Sequence, residues 1–108
     1  MNESEIAAIC KALGDENRVK IIKMLTGGKL CACRILDAFN ISQPTLSHHI
    51  KILIDCNLVN SQKEGKWTYY SINSKKFLDF KNAVSKFACK PAAAKIIEDI
   101  RSQTGAMH

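Results

Sequence analysis

The stretch Ser42-Gln43-Pro44-Thr45-Leu46-Ser47-His48-His49-Ile50-Lys51-Ile52-Leu53 decides how the rest of the chain is read. Ser42 is a good N-cap, because its hydroxyl can accept an orphan backbone N–H of the first turn. Pro44 falls in that turn, where a missing N–H costs nothing. Leu46, Ile50 and Leu53 recur at i, i+4 and i+7 and form one buried stripe. Away from the stripe lie Gln43, Thr45, Ser47, His48 and Lys51. Such a face suits the major groove of DNA: Gln pairs with adenine edges, Ser and Thr bond bases or phosphates, and Lys neutralises phosphate. An ordinary surface helix with a solvated polar face would show the same pattern, so the flanking sequence has to decide.

Upstream, Leu30 to about Phe39 is expected as a short helix burying Ile35, Leu36 and Phe39, and Asn40-Ile41 as a tight turn into the Ser42 helix. Two short helices joined by three or four residues, the second polar-faced, follow helix-turn-helix logic. Downstream, the Ser42 helix should end near Cys56, with Asn57 in the left-handed position after it. Leu58–Lys63 and Trp67–Ile72 then flank Glu64-Gly65-Lys66. The second run is β-branched and aromatic and Gly65 supplies the turn, so a β-hairpin is expected. A hairpin straight after a recognition helix is a wing, and Lys63 and Lys66 near its tip would meet phosphates. A plain hairpin with solubilising lysines is the alternative. The residues expected at DNA are therefore Ser42, Gln43, Thr45, Ser47, His48, His49 and Lys51 of the helix and Lys63 and Lys66 of the wing.

The ends of the chain are helical in pattern. Ser4 or Asn2 can cap a first helix to about Leu13, with Ile6, Ile9, Cys10 and Leu13 on its apolar face. Gly14 ends it and Asp15 caps a second helix, whose stripe is Val19, Ile22 and Leu25 with Ile21 and Met24 beside them. Ser74 is expected to cap a last helix with Phe77, Phe80, Val84 and Phe87 on one face. Pro91 interrupts or restarts it, and Ile96, Ile97 and Ile100 continue the face. First and last helices are more apolar than a small winged domain needs, so pairing across a two-fold axis would bury the excess. The fold class expected is mainly α with a small β-hairpin (α+β). It is a single winged helix-turn-helix domain over 1–108 and a homodimer through its first and last helices.

Composition bounds the rest. A chain of 108 residues with 46% hydrophobic residues is one domain with a core. The net charge of +6 and a pI near 9.2 favour an anionic partner. No run approaches the roughly 18 apolar residues of a membrane span, and the polar start Met1-Asn2-Glu3-Ser4-Glu5 is no signal peptide. A cytoplasmic chain with reduced thiols is expected. Its five cysteines, at 10, 31, 33, 56 and 89, are an odd number, which disfavours a disulfide framework.

Cys31 and Cys33 stand out. In a regular helix they would lie some 200° apart and could not share an ion, but a helix start is free of that constraint. The helix N-terminus favours thiolate, and Lys29 and Arg34 beside the pair push the same way. Soft thiolates select soft ions: trivalent arsenic or antimony, Cd(II), Pb(II), Zn(II) or Cu(I).

Four segments resemble the ArsR/SmtB family of metal-responsive winged-helix repressors. They are Lys11–Arg18, Leu30-Cys31-Ala32-Cys33, Ser42–His49 and Gly65–Tyr70. The resemblance implies a homodimer that leaves double-stranded operator DNA on binding a metal or metalloid. The Leu-Cys-x-Cys motif is similar to that of arsenite-responsive and of cadmium- or lead-responsive members. Many arsenite-responsive members carry a third cysteine three residues on, where this chain has Leu36. A third sulfur would then come from Cys89 first, with Cys56 or Cys10 behind it; burial in the core is the other reading of the last two. The cadmium-type pattern needs cysteines ahead of the first helix and here has none, which favours arsenite or antimonite over Cd(II), Pb(II) and Zn(II) as inducer. Closure of Cys31 and Cys33 on an ion is expected to unwind or tilt the first turn of the third helix and so re-aim Gln43 and His48 through Leu36 and Phe39. A thiol-redox response of the same pair is the remaining alternative. No phosphate-cradling loop or thioredoxin-like strand pattern appears, so neither an enzyme nor a membrane partner is expected.

Overall fold

Side-chain caps set the helix starts in the computed structural model, which describes residues 1–87. In chain order these form α1 (Glu3–Ala12), α2 (Glu16–Leu25), β1 (Leu30–Cys31), α3 (Ala32–Asp37), α4 (Gln43–Asp55), β2 (Val59–Glu64), β3 (Trp67–Ile72) and α5 (Ser74–Ser85). Asn2 caps α1 in a reciprocal box with Glu5, Asp15 caps α2 through the amides of Asn17 and Arg18, and Ser42 caps α4 through the amide of Thr45. The last helix is capped by Asn73 and not by Ser74, which is its first helical residue.

The three strands form one antiparallel sheet in the order β1-β3-β2. The hairpin runs in continuous register from Val59 opposite Ile72 to Glu64 opposite Trp67. Gly65, at φ 64, makes the reversal, and a side chain there would be strained in that left-handed conformation. Asn57, at φ 65, closes the end of α4 as its amide-rich side chain allows. The third strand is the departure from expectation. Leu30 and Cys31 are extended and pair with Tyr70 and Tyr69 instead of opening the helix. Two residues are too few for a period-2 pattern, so only the neighbouring β3 makes them a strand.

The core gathers the stripe Leu46, Ile50 and Leu53 with Ile9, Ala12, Ile21, Ile22, Leu25, Ile35, Leu58 and Val59. Two registers differ from the sequence reading. On α2, Ile21 is fully buried while Val19 is 39% exposed. On α1, Cys10 is exposed and Ala12 takes the inward place. In both, the inward arc is rotated by part of a turn from the expected stripe while keeping Ile9, Ile22 and Leu25. α5 packs beside α1, and Lys76 Nζ reaches Glu5 Oε2 at 3.0 Å. No residue of α5 is buried; its Leu78 is 54% exposed, and Phe87 just beyond its end is 67% exposed. The expected continuation through Pro91, Ile96, Ile97 and Ile100 lies outside the described residues, as do Cys89 and His108.

The α2 register is testable. Ile21→Ala should destabilise by about 2–5 kcal/mol, whereas Val19→Ala should stay within about 0.5 kcal/mol of the parent. Urea unfolding of the two variants measures both, and the reverse ranking would restore the sequence-based stripe.

Candidate functional site

The site is built on α4 and the two strands that flank it. Gln43, Ser47, His48 and Lys51 are exposed on α4, and Lys63 and Lys66 are exposed on the hairpin. Ser42 Oγ accepts the Thr45 amide at 3.3 Å and donates to Thr45 Oγ1 at 2.9 Å. This cap ties the Ser42 hydroxyl inward and leaves the Thr45 hydroxyl proton free to donate outward. Lys51 pairs with Asp55 on the next turn at 3.4 Å, both largely exposed, a contact that water makes weak and a phosphate can displace. Lys66 Nζ lies 5.7 Å from the Trp67 ring.

His49 corrects the sequence reading. It was expected at DNA, but its side chain is buried on the inward side of α4, with Nδ1 3.1 Å from Arg18 Nη1. It follows the exposed His48 by one residue, and about 100° of helix turn carries it from the groove-facing arc to the core. It has no surface left for a base.

Between α4 and the hairpin opens a cleft of about 300 Å³. Gln43 and Ser47 line one side, Lys66, Trp67 and Thr68 the other, and Cys33 and Leu36 of α3 sit at its base. Cys31 is the N-cap of α3, with extended φ −76 and ψ 157 and no side-chain cap bond. It therefore stands outside the helix, and the angular separation that would keep two helical thiols apart does not apply. The adjacent Cys33 thiol holds the Cys31 thiol below its ordinary value, helped by the Arg34 amide and the Arg34 charge and opposed by burial. Cys33 is pushed up in turn, by Cys31 first and by burial second. Arg34 thus acts as expected on the pair, but Lys29 does not. Its Nζ is bound to Glu64 Oε2 at 2.7 Å and lies 5.0 Å from the Tyr69 ring.

Two adjacent thiols with one drawn toward thiolate suit a soft ion. Among the described residues no cluster of three or more His, Cys, Asp or Glu side chains forms, so neither Cys10 nor Cys56 is brought to the pair. Cys56 is half-buried at the C-cap of α4, where its thiol donates to the Leu53 carbonyl at 3.4 Å and burial pushes it up. Cys89 lies outside the described residues.

Comparison with known proteins sorts this arrangement. Residues 15–61 match the family described as "Bacterial regulatory protein, arsR family". The arsenical resistance operon repressor of Staphylococcus xylosus is 45% identical over 82 residues, 76% of this chain and 78% of that protein. The chain belongs to the arsR family. A cadmium resistance regulatory protein CadC homolog of Staphylococcus aureus is 38% identical over 73 residues, 67% of this chain and 60% of that one. An ArsR-like transcriptional regulator from Rhodococcus sp. RHA1 superposes with a TM-score of 0.74 at 24% identity, covering 87% of this chain and 92% of that chain, a likeness of fold. As an ArsR-family transcriptional regulator the chain is a DNA-binding protein, and α3–α4 is its helix-turn-helix with β2–β3 as the wing. Two links in this site carry no sequence signal: Arg18 on His49, 31 residues apart, and Lys29 on Glu64, 35 residues apart.

The asymmetry of the thiols gives a pH-dependent outcome. A thiol lowered from its ordinary value stays thiolate to lower pH, so iodoacetamide should alkylate Cys31 at pH values below about 8.5, where ordinary thiols are mostly protonated. Cys33 and Cys56 should react only as the pH rises further. Peptide mass mapping across pH reads all three. Replacing Cys33 by alanine removes the chief cause and should move the Cys31 profile up; an unmoved profile would show that the neighbour does not govern it.

Proposed function

We propose that this chain is a homodimeric repressor that binds double-stranded operator DNA through α4 and the wing and leaves it when Cys31 and Cys33 take up trivalent arsenic or antimony. The observation that carries the proposal is Cys33 in the lining of the cleft between α4 and the hairpin, with Cys31 extended two positions before it at the start of α3. The arsenical name of a 45% identical relative supports the choice of ion. Cd(II), Pb(II) or Zn(II) is the second reading, favoured by the relatives named for cadmium resistance. In this reading residues 1–108 form one winged domain, working in the cytoplasm where thiols stay reduced.

Gln43, Ser47 and His48 contact base edges, Ser42 and Thr45 stand at the cap nearest the backbone, and Lys51, Lys63 and Lys66 neutralise phosphates. Release follows from where the thiols are attached. Cys31 is already extended, so the unwinding that was one of the two expected responses is not required. Closing Cys31 and Cys33 on one ion displaces β1 instead. β1 is paired residue for residue with β3, and Lys29 just ahead of it is ion-paired to Glu64 on β2. α3 packs chiefly on β1 and β3 rather than on α4. The wing is therefore the first DNA-contacting element to move. A coupling of about 1–3 kcal/mol lowers DNA affinity about 5- to 150-fold, and DNA weakens ion binding by the same factor.

The test uses a duplex selected by the wild-type protein from a randomised pool. Fluorescence anisotropy of that complex, titrated with arsenite, antimonite, Cd(II), Pb(II), Zn(II) and a thiol oxidant, should show release at the lowest concentration by arsenite or antimonite. Cys31→Ser or Cys33→Ser should bind DNA as tightly as wild type and fail to release. Release of both single variants at the wild-type arsenite concentration would place the sensor elsewhere, with Cys89 the next residue to replace.

The dimer has its own support: Leu78 of α5 and Phe87, two residues beyond its end, leave large apolar side chains uncovered in one copy. Sedimentation at micromolar concentration should give about twice the 12.0 kDa chain mass; a single-chain mass there would refute pairing.

A further inference from the structure

His49 is the one buried polar side chain among the described residues, and it sits on the recognition helix. Its Nδ1 lies 3.1 Å from Arg18 Nη1 and 3.9 Å from Asp15 Oδ1. A guanidinium carries only donors, so Nδ1 is the acceptor in this contact. The same Arg18 donates from Nε to the Ala12 carbonyl at 2.6 Å and from Nη2 to the Lys11 carbonyl at 3.4 Å. Arg18 is itself fixed at the start of α2, where its amide and that of Asn17 bond the Asp15 carboxylate at 3.3 and 2.8 Å. Burial pulls that carboxyl up, but the two amides with the charge of Arg18 outweigh it and hold it below the ordinary carboxylate range. One planar side chain on α2 therefore grips the last turn of α1 and the inward ring of α4 together.

We infer that Arg18 is a positioning residue for DNA reading, which acts through His49 to set the rotation of α4. The apolar stripe of α4 fixes how close the helix lies to the core, but apolar contact has no direction and tolerates a small rotation. The guanidinium fork has a direction, and it ends on the residue next to His48. Ring centroids of His48 and His49 are 6.1 Å apart on adjacent positions. A rotation that released His49 from Arg18 would swing His48, and Gln43 and Ser47 with it, off the base edges. Phosphate contacts through flexible lysines would survive such a rotation, because a point charge on a long stem needs no fixed angle. Arg18 is thus tied to sequence discrimination rather than to general affinity.

Three variants separate positioning from simple stabilisation. Arg18→Lys keeps a cation near the last carbonyls of α1 and loses the fork. His49→Phe keeps the ring shape and loses the acceptor. His49→Asn places an oxygen near the Nδ1 position and keeps it. Each is measured by anisotropy on the duplex selected by wild-type protein and on a random duplex, with salt dependence and thermal midpoint alongside. Arg18→Lys and His49→Phe should lose about 10- to 100-fold on the selected duplex, the scale of misplaced base contacts. Their affinity for random DNA and their salt slope should stay at wild-type values. His49→Asn should stay within about threefold of wild type on both. The ¹⁵N resonance of His49 Nδ1 should shift in Arg18→Lys as its donor is withdrawn. Equal losses on both duplexes, an undiminished Arg18→Lys, or a His49→Asn as weak as His49→Phe would each overturn the inference. Should Arg18→Lys melt below the assay temperature, the two His49 variants decide alone, because they differ in the acceptor and leave Arg18 in place.

Discussion

Two residues of extended chain, Leu30 and Cys31, are the constraint on which the site depends. By pairing with Tyr70 and Tyr69 they join the loop that carries the thiols to the sheet that carries the wing. Without that pairing, the Cys31–Cys33 segment would be a loop on the side of a helical domain, and its chemistry would have no short path to DNA. With it, Cys33 and Leu36 form the base of a cleft whose walls are α4 and the hairpin. The pairing also sets the conformation of Cys31. A strand residue that ends as a helix N-cap is extended, and an extended Cys31 can face Cys33 across two positions where a helical one could not.

Much of this was legible in the sequence, and the parts that were not share a cause. The Ser42 cap, the Leu46, Ile50 and Leu53 stripe, the left-handed Asn57 and the Gly65 reversal are local, each decided within a few residues. β1 was not legible, because a two-residue strand exists only through its partner some 40 residues on, and Leu30-Cys31 alone has no pattern to show. His49 failed for a related reason. Nothing in the pair His48-His49 marks which ring turns inward; that depends on where Arg18 sits, which only the packing of α2 on α4 decides. Val19 and Cys10 failed because a helix of ten residues holds too few turns for periodicity to choose between neighbouring arcs.

The two long-range polar links differ in a way that suits different tasks. Arg18 on His49 is buried at its acceptor and backed by backbone carbonyls, so breaking it leaves a polar ring without a partner, a costly state. Such a link holds one geometry. Lys29 on Glu64 is open to water, with side chains 52% and 41% exposed. Exposed ion pairs are weak and readily exchanged for hydration, so this link can break and reform with little net change.

That contrast bears on which element a bound ion would move in the proposed switch. An effector shifts an equilibrium only between states of similar free energy, by as much as its affinity for them differs. The recognition helix has no nearby alternative state as long as Arg18 holds His49. The wing has one, because its tie to the thiol loop is a two-residue strand pairing and an exposed ion pair. In the proposed switch a ligand held by Cys31 and Cys33 would act where the fold is soft, on β1 and through it on β3 and Lys66, while α4 would keep its orientation. Loss of the wing lysines from phosphate weakens every DNA sequence alike. Release by this route would need no change in what α4 recognises, because the tie between the thiol segment and the wing runs through β1 and β3 and not through α4.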